Sequence, residues 1–155
     1  MLALLMAGCG SAAKPRGKRV RGSGYSFVAP AGWEVRHAPR KTTVRSGSQV
    51  LAIETFPLVH AYDPLLFAKV KVELDGLAAD IAAHAGGSVT EKRTTQVAGR
   101  RVRAYEIVLT RNGKTLTERI AFVLDGKREY QLLCRFRRGE SDSPCEQLLA
   151  TFALS

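Results

Sequence analysis

The spacing of hydrophobic residues along the chain changes from one region to the next. From residue 64 to residue 85 large apolar side chains recur every three or four positions, which predicts one stripe on a helix of about six turns. The stripe consists of Leu66, Val70, Leu74, Leu77 and Ile81. In the second half the period falls to two, which is typical of β-strands. The chain is therefore predicted to be an α+β protein.

Glycine-containing turns divide the second half into four β-rich runs, 88–97, 100–110, 114–124 and 127–136. The turns are Ala98-Gly99, Asn112-Gly113 and Asp125-Gly126. Asn-Gly and Asp-Gly favour type I′ turns, whose central residues both need positive φ. The pattern predicts an antiparallel meander. The alternating residues of its last two strands predict one strongly apolar face that packs on a helix: Ile120, Phe122, Leu124, Tyr130, Leu132, Cys134 and Phe136.

The first half carries further strand and helix signals. Residues 25–28 and a run from Trp33 predict two short strands, and 42–45 with 50–56 predict a hairpin. Asp63 before Pro64 predicts the start of the long helix, and Gly86-Gly87 its end. Ser143 and Glu146 predict a capping box, with Pro144 at the first helical position of a short C-terminal helix. An antiparallel sheet backed by two helices follows, in one domain spanning 25–155.

Residues 10–24 differ in composition from this domain. They are mostly Gly, Ser, Ala, Pro, Lys and Arg, with Val20 as the single bulky apolar side chain, so we expect a flexible basic tether. The chain carries a net charge of +10, and residues 14–45 hold nine basic residues against one acidic residue. Five of them are expected to contact anionic lipid head groups or acidic polymers: Lys14, Arg16, Lys18, Arg19 and Arg21. The alternative is a solvated spacer.

Residues 1–9 are an apolar run that ends in Ala7-Gly8-Cys9. This resembles the lipobox of bacterial lipoproteins, which implies a signal peptide over 1–9, a lipid on Cys9 and a membrane-anchored extracytoplasmic protein. No basic residue precedes the run and it is short, so we expect the native start to lie upstream. The alternative is a cytosolic protein with an apolar N-terminus.

The chain has three cysteines. Lipidation of Cys9 leaves Cys134 and Cys145, and an oxidising compartment would allow those two to pair. We expect a disulfide that ties the last strand of the meander to the final helix.

The order of these elements resembles the PsbP-like fold, shared by photosystem accessory proteins, a nuclear import cofactor and small bacterial lipoproteins of the LpqN type. The residues that carry the resemblance are Phe27 to Trp33 with Pro30 and Gly32, the corner Val97-Ala98-Gly99, and the end of the final helix near Thr151-Phe152. The resemblance implies an accessory or binding module, and it transfers no catalytic residue.

The sequence contains few residue patterns that are typical of catalysis or metal binding. His37, His60 and His84 lack metal-ligand spacing, there is no GxSxG nucleophile motif, and we expect neither a metal nor a cofactor. Aromatic residues are too few and too apolar in context for nucleic-acid recognition. Glu54 and Glu106 lie on strands, where cross-strand basic partners are expected. The one polar cluster in a loop is a possible ligand site: His60, Tyr62 and Asp63.

Three functional hypotheses remain open. The leading one is a non-enzymatic, lipid-anchored module that binds an envelope protein or anionic polymer outside the cytoplasmic membrane. The alternative is a small-ligand carrier or hydrolase with a pocket between the long helix and the sheet, near residues 57–63. A filled apolar core there would favour the first hypothesis, and a pocket with convergent polar groups the second. The third is a cytosolic RNA-binding protein.

Overall fold

The computed structural model describes residues 16–155. The predicted signal peptide, with Cys9, and Lys14 lie outside the described residues. The helices are α1 (Phe67–His84), preceded by a 3₁₀ turn (Pro64–Leu66), and α2 (Ser143–Thr151). The strands, in chain order, are β1 (Gly17–Gly22), β2 (Tyr25–Pro30), β3 (Glu34–Ala38), β4 (Lys41–Ser46), β5 (Gln49–Pro57), β6 (Gly87–Val97), β7 (Arg100–Arg111), β8 (Lys114–Asp125), β9 (Arg128–Arg137) and β10 (Ala153–Leu154).

Seven strands form one antiparallel sheet in the order β3-β4-β5-β9-β8-β7-β6. The predicted meander is its second half, because β6 to β9 pair in sequence order. The predicted hairpin of the first half is β4 with β5. Pairing of β5 with β9, which places Leu51 opposite Cys134, joins the two halves. The α+β prediction is confirmed.

Two of the predicted turns contain a glycine with positive φ, but only one of them lies at the predicted residues. Asn112 and Gly113 have φ values of 52° and 70°, both positive as a type I′ turn requires. The next turn is displaced by one residue from the prediction, because Asp125 pairs with Arg128 across the loop Gly126-Lys127. Of the turn residues Asp125, Gly126 and Lys127, Gly126 is the one with positive φ, at 54°. The displacement puts the side chain of Lys127 at the tip of the turn.

The flexible-tether prediction for 10–24 is wrong for Gly17–Gly22, which form β1. This strand pairs antiparallel with β2, in the register Gly17 to Pro30 and Gly22 to Tyr25, in a small sheet of order β1-β2-β10. Val20 is buried in the core beneath it. Ordering this segment costs conformational entropy, which its polar composition alone does not offset. Hydrogen bonds to β2 and the burial of Val20 offset that cost. The domain therefore begins before residue 25.

The prediction of one apolar face for β8 and β9 is also wrong. Both faces of the main sheet are covered, so the apolar residues divide between two cores. Ile120 and Phe122 pack against α1, while Leu132 and Cys134 on β9 face the opposite side, toward α2 and the small sheet. Because Ile120, Ala121, Phe122 and Val123 are all buried, alternation along β8 does not distinguish the faces.

The long helix begins and ends where its capping residues predict. The Asp63 carboxylate accepts a hydrogen bond from the Leu65 amide at 2.9 Å, and Gly86 takes positive φ after the last turn. The residues that α1 buries fully are Phe67, Leu74, Ala78 and Ala82. The buried face of the helix is thus rotated relative to the predicted stripe. Two residues of that stripe, Leu66 and Leu77, are 51% and 37% exposed.

The final helix is held to the sheet covalently. Cys134 of β9 and Cys145 of α2 form the predicted disulfide, with their Cα atoms 5.6 Å apart, and both residues are buried. The predicted capping box is wrong, since Ser143 is already helical and Asp142 precedes the helix. Instead, the Asp142 and Glu146 carboxylates both accept hydrogen bonds from Arg119 of β8, at 2.9 and 3.1 Å.

Candidate functional site

A cleft of about 500 Å³ opens between α1 and the loop that follows β5. Leu66, Val70, Leu74 and Leu77 of the helical segment form one wall. The loop residues 58–63 form the other wall, and Leu124 with Glu129 close the end nearest the sheet. This is the position at which the sequence left open a choice between a filled core and a pocket. The structure has an open cleft there, which by that criterion favours a small ligand over a filled core.

The loop that forms the cleft is held at both ends by hydrogen bonds. The Leu58 amide donates to the Lys127 carbonyl at 2.9 Å, and the Tyr62 amide donates to the Gly126 carbonyl at 2.7 Å. At the helix end, the Asp63 carbonyl accepts from the Leu66 amide at 2.9 Å. The β8–β9 turn therefore fixes the loop that positions the candidate residues, although the turn lies more than sixty residues away in the sequence.

The polar groups of the cleft sit at its rim. All three candidate loop residues line it, together with Glu73 and Glu129. Tyr62 is half-buried, and burial raises the pKa of its hydroxyl, which keeps the group protonated and able to donate a hydrogen bond. The Asp63 carboxylate is occupied as the helix cap. The arrangement can bind a ligand whose apolar body lies against the leucines and whose polar end meets the rim.

Two acidic residues of the cleft are absent from the sequence-based prediction of the site, for different reasons. Glu73 follows Val70 by three positions and precedes Leu77 by four, so helical spacing alone places it beside the cleft. Glu129 reaches the cleft because β5 pairs with β9, which sets Phe56 opposite it. That pairing is between distant segments and leaves no local signal.

Four of the basic residues that we expect to contact anionic surfaces lie on the folded domain, and not on a flexible tether. Lys18, Arg19 and Arg21 are exposed on β1, which is an edge strand of the small sheet. Arg16 is exposed just before the strand, and its carbonyl accepts a hydrogen bond from Gln147 of α2 at 3.3 Å. These four cations therefore belong to the surface of the folded domain and not to a separate tether.

The two strand carboxylates have the expected basic partners. Glu54 of β5 lies 3.3 Å from the Lys41 ammonium of β4, and Glu106 of β7 accepts a hydrogen bond from Arg119 of β8 at 3.1 Å. Within residues 16–155, no group of three or more His, Cys, Asp or Glu side chains is arranged to hold a metal ion. None of the helices in this part of the chain is long and apolar enough to cross a membrane.

Comparison with known proteins gives a likeness in fold. No protein-family model and no curated protein matches the sequence. A crystal structure from Bacteroides thetaiotaomicron VPI-5482, solved at 1.50 Å, has a TM-score of 0.63 and 13% identity over 90% of this chain. The chain spans about half of that protein, 48% of its length. The crystal structure of LpqN, involved in cell envelope biogenesis of Mycobacterium tuberculosis, has a TM-score of 0.49 and 16% identity, covering 89% of this chain and 90% of LpqN.

Proposed function

We propose that this chain is a non-enzymatic binding module of an exported, lipid-anchored protein at the outer face of the cytoplasmic membrane, and that it binds a small ligand in the cleft beside α1. The observation that carries the proposal is the cleft itself. Its volume of about 500 Å³ lies in the range of small-molecule sites, about 300 to 1,000 Å³. Its lining is mostly apolar.

Two leucines of the cleft offer apolar surface to a ligand. Leu66 of the 3₁₀ turn and Leu77 of α1 are 51% and 37% exposed, whereas Leu74 of α1 is buried. An apolar ligand that covered them would gain about 25 cal/mol for each Å² removed from water.

Export is supported by the disulfide. Cys134 and Cys145 are 4% and 1% exposed, and a bridge between a strand and a helix persists in oxidising compartments. The lipid anchor rests on Cys9, outside the described residues, and its test is metabolic labelling with a fatty-acid analogue. We expect label on the wild-type protein and none on Cys9→Ser. Equal labelling of both would contradict the anchor.

The cleft is tested by titration with Nile red, an uncharged dye that fluoresces in apolar surroundings. An anionic dye is unsuitable because the protein carries a net charge of +10. We expect saturable binding to the wild type and a loss of about tenfold in affinity for Leu66→Asn, since a polar side chain would replace an apolar wall.

Leu65→Asn is the matched control. Leu65 is the neighbouring residue in the same 3₁₀ turn, is 89% exposed, and does not line the cleft. Its substitution should leave Nile red binding unchanged. Equal losses for both variants, or a wild type that binds no dye, would contradict the proposal that the cleft is the binding site.

A further inference from the structure

A second cleft, with different chemistry, lies where three hairpin turns of the domain meet. Its volume is about 440 Å³. The β1–β2 turn supplies Gly22 and Ser23, the β3–β4 turn supplies residues 38–41, and the β8–β9 turn supplies Lys127 and Arg128. The end of β5 lies between the last two turns, through Thr55 and Pro57. We refer to this site as the basic cleft.

Four cations line the basic cleft, namely Arg40, Lys41, Lys127 and Arg128. Among the described residues that line it, none is acidic. Lys41 has Glu54 as an ion-pair partner at 3.3 Å, whereas Arg40, Lys127 and Arg128 have no carboxylate within ion-pair distance in residues 16–155. Like charges gathered in a concave site concentrate the electric field and attract anions.

Backbone hydrogen bonds fix the turns that carry these cations. The Thr55 amide donates to the Arg40 carbonyl, and the Leu58 amide donates to the Lys127 carbonyl, both at 2.9 Å. Two side chains have further contacts. The Arg40 guanidinium lies 5.9 Å from the centre of the Phe56 ring, and Arg128 donates from Nη1 to the Ser23 carbonyl at 3.2 Å. The backbone of these turns is therefore fixed, and Arg128 is the cation of the cleft whose side chain is also held by a hydrogen bond within it.

Hydroxyl groups form the floor of the basic cleft. The Tyr25 hydroxyl donates to Thr42 Oγ1 at 2.7 Å, and both residues are 3% exposed. His37 Nδ1 lies 3.1 Å from the same Thr42 oxygen, which brings the imidazole to the wall of the cleft. The site thus combines a polar floor with cationic walls.

We propose that the basic cleft binds a phosphate group, carried either by a soluble phosphorylated compound or by a lipid head group. Guanidinium and ammonium groups form charge-assisted hydrogen bonds with phosphate oxygens, and guanidinium matches them in a two-point fork. The basic cleft shares no lining residue with the cleft beside α1, although the two are neighbours at the end of β5 and at the β8–β9 turn.

The test is calorimetric titration of the full chain with inorganic pyrophosphate at low salt. We expect binding by the wild type, and a dissociation constant raised about tenfold or more in the double variant Arg40→Gln/Lys127→Gln, since each lost charged hydrogen bond weakens binding substantially. Both positions are exposed, so the melting temperature of the variant should match that of the wild type.

The control is Lys69→Gln/Arg138→Gln, which removes the same charge at two exposed positions that line neither cleft. It should change pyrophosphate affinity by less than about twofold, because neither residue lines the basic cleft. Equal weakening by both double variants would show that only net charge matters and would overturn the proposal. So would a wild type that does not bind pyrophosphate.

A sedimentation assay with vesicles distinguishes the two sources of phosphate. If the wild type sediments with vesicles containing phosphatidylglycerol, and pyrophosphate and Arg40→Gln/Lys127→Gln each reduce that binding, the group belongs to a lipid head group. If pyrophosphate binds in solution but neither change affects sedimentation, the ligand is a soluble phosphorylated compound. Both results support the phosphate site.

Discussion

Asp75 of α1 and Arg103 of β7 form a two-point ion pair that fastens the long helix to the sheet. Arg103 donates from Nε to Oδ1 at 2.8 Å and from Nη2 to Oδ2 at 3.1 Å. The Tyr105 hydroxyl donates to the same Oδ1 at 2.6 Å. Because α1 forms one wall of the candidate cleft, this contact holds the cleft in shape.

The same contact predicts how stability changes with acidity. Hydrogen bonds from Arg103 lower the pKa of Asp75 to about 2, from 3.8 when unpaired. A lowered pKa in the folded state means that the stabilisation is complete above about pH 4 and is lost as the pH falls toward 2. Asp75→Asn should therefore lower the free energy of unfolding by about 2 kcal/mol at pH 7, with little difference from the wild type near pH 2. Urea denaturation across this range measures both, and a pH-independent difference would contradict the ion-pair explanation.

The disulfide is expected to carry a large share of the stability of a small domain. Cys134 and Cys145 are 11 residues apart in sequence, and closing a loop of this length stabilises by about 3 kcal/mol in the chain-entropy model. Cys145→Ala should lose about that amount in chemical denaturation. Under a thiol reductant the difference between the variant and the wild type should largely disappear. A difference that is unchanged by reductant would assign the loss to packing.

Arg119 is predicted to matter more than an ordinary surface arginine. It donates hydrogen bonds to Glu106, Asp142 and Glu146 and is 23% exposed. Lysine cannot reach three carboxylates from fixed directions, so Arg119→Lys should cost about 1 to 2 kcal/mol of unfolding free energy. The control is Arg100→Lys, whose exposed pair with Asp125 should contribute less than about 1 kcal/mol. Equal losses in thermal melts of the two variants would contradict this role.

A glycine in the middle of α1 offers a stabilising change. A methyl group added at Gly76 would meet nothing within 4 Å, so Gly76→Ala should raise the free energy of unfolding by about 1 kcal/mol through helix propensity. Gly87→Ala is the contrasting variant, because the added carbon would lie 2.5 Å from the Val108 carbonyl oxygen. It should destabilise the protein. A destabilised Gly76→Ala variant would show that the helix needs flexibility there.

Features with local causes could be predicted from the sequence. The Asn112-Gly113 turn and the Asp63 helix cap each depend on the conformational preference of one or two residues, and both form as expected. The long helix follows from its own spacing. The disulfide pairing followed from counting cysteines, on the assumption that Cys9 is lipidated.

Features that depend on distant pairing could not be predicted. The strand β1 contains one apolar residue, Val20, and becomes ordered because β2 is available to pair with it. The two cores could not be separated because β8 is buried on both faces. The basic cleft depends on a one-residue displacement that puts Lys127 at a turn tip, near Arg40 of another hairpin. The sequence identifies the loop residues His60 and Tyr62, but it leaves open whether the leucines of the helix opposite them face a filled core or a pocket.

The most direct test of the central claim, that the cleft beside α1 binds a small apolar ligand, is amide chemical-shift mapping of the full chain during titration with Nile red. The account predicts saturable shifts that concentrate at cleft residues such as Tyr62, Leu66 and Leu77, with none at Asn112, on the turn at the other end of β8. Shifts spread evenly over the surface, or confined to residues outside the cleft, would contradict it.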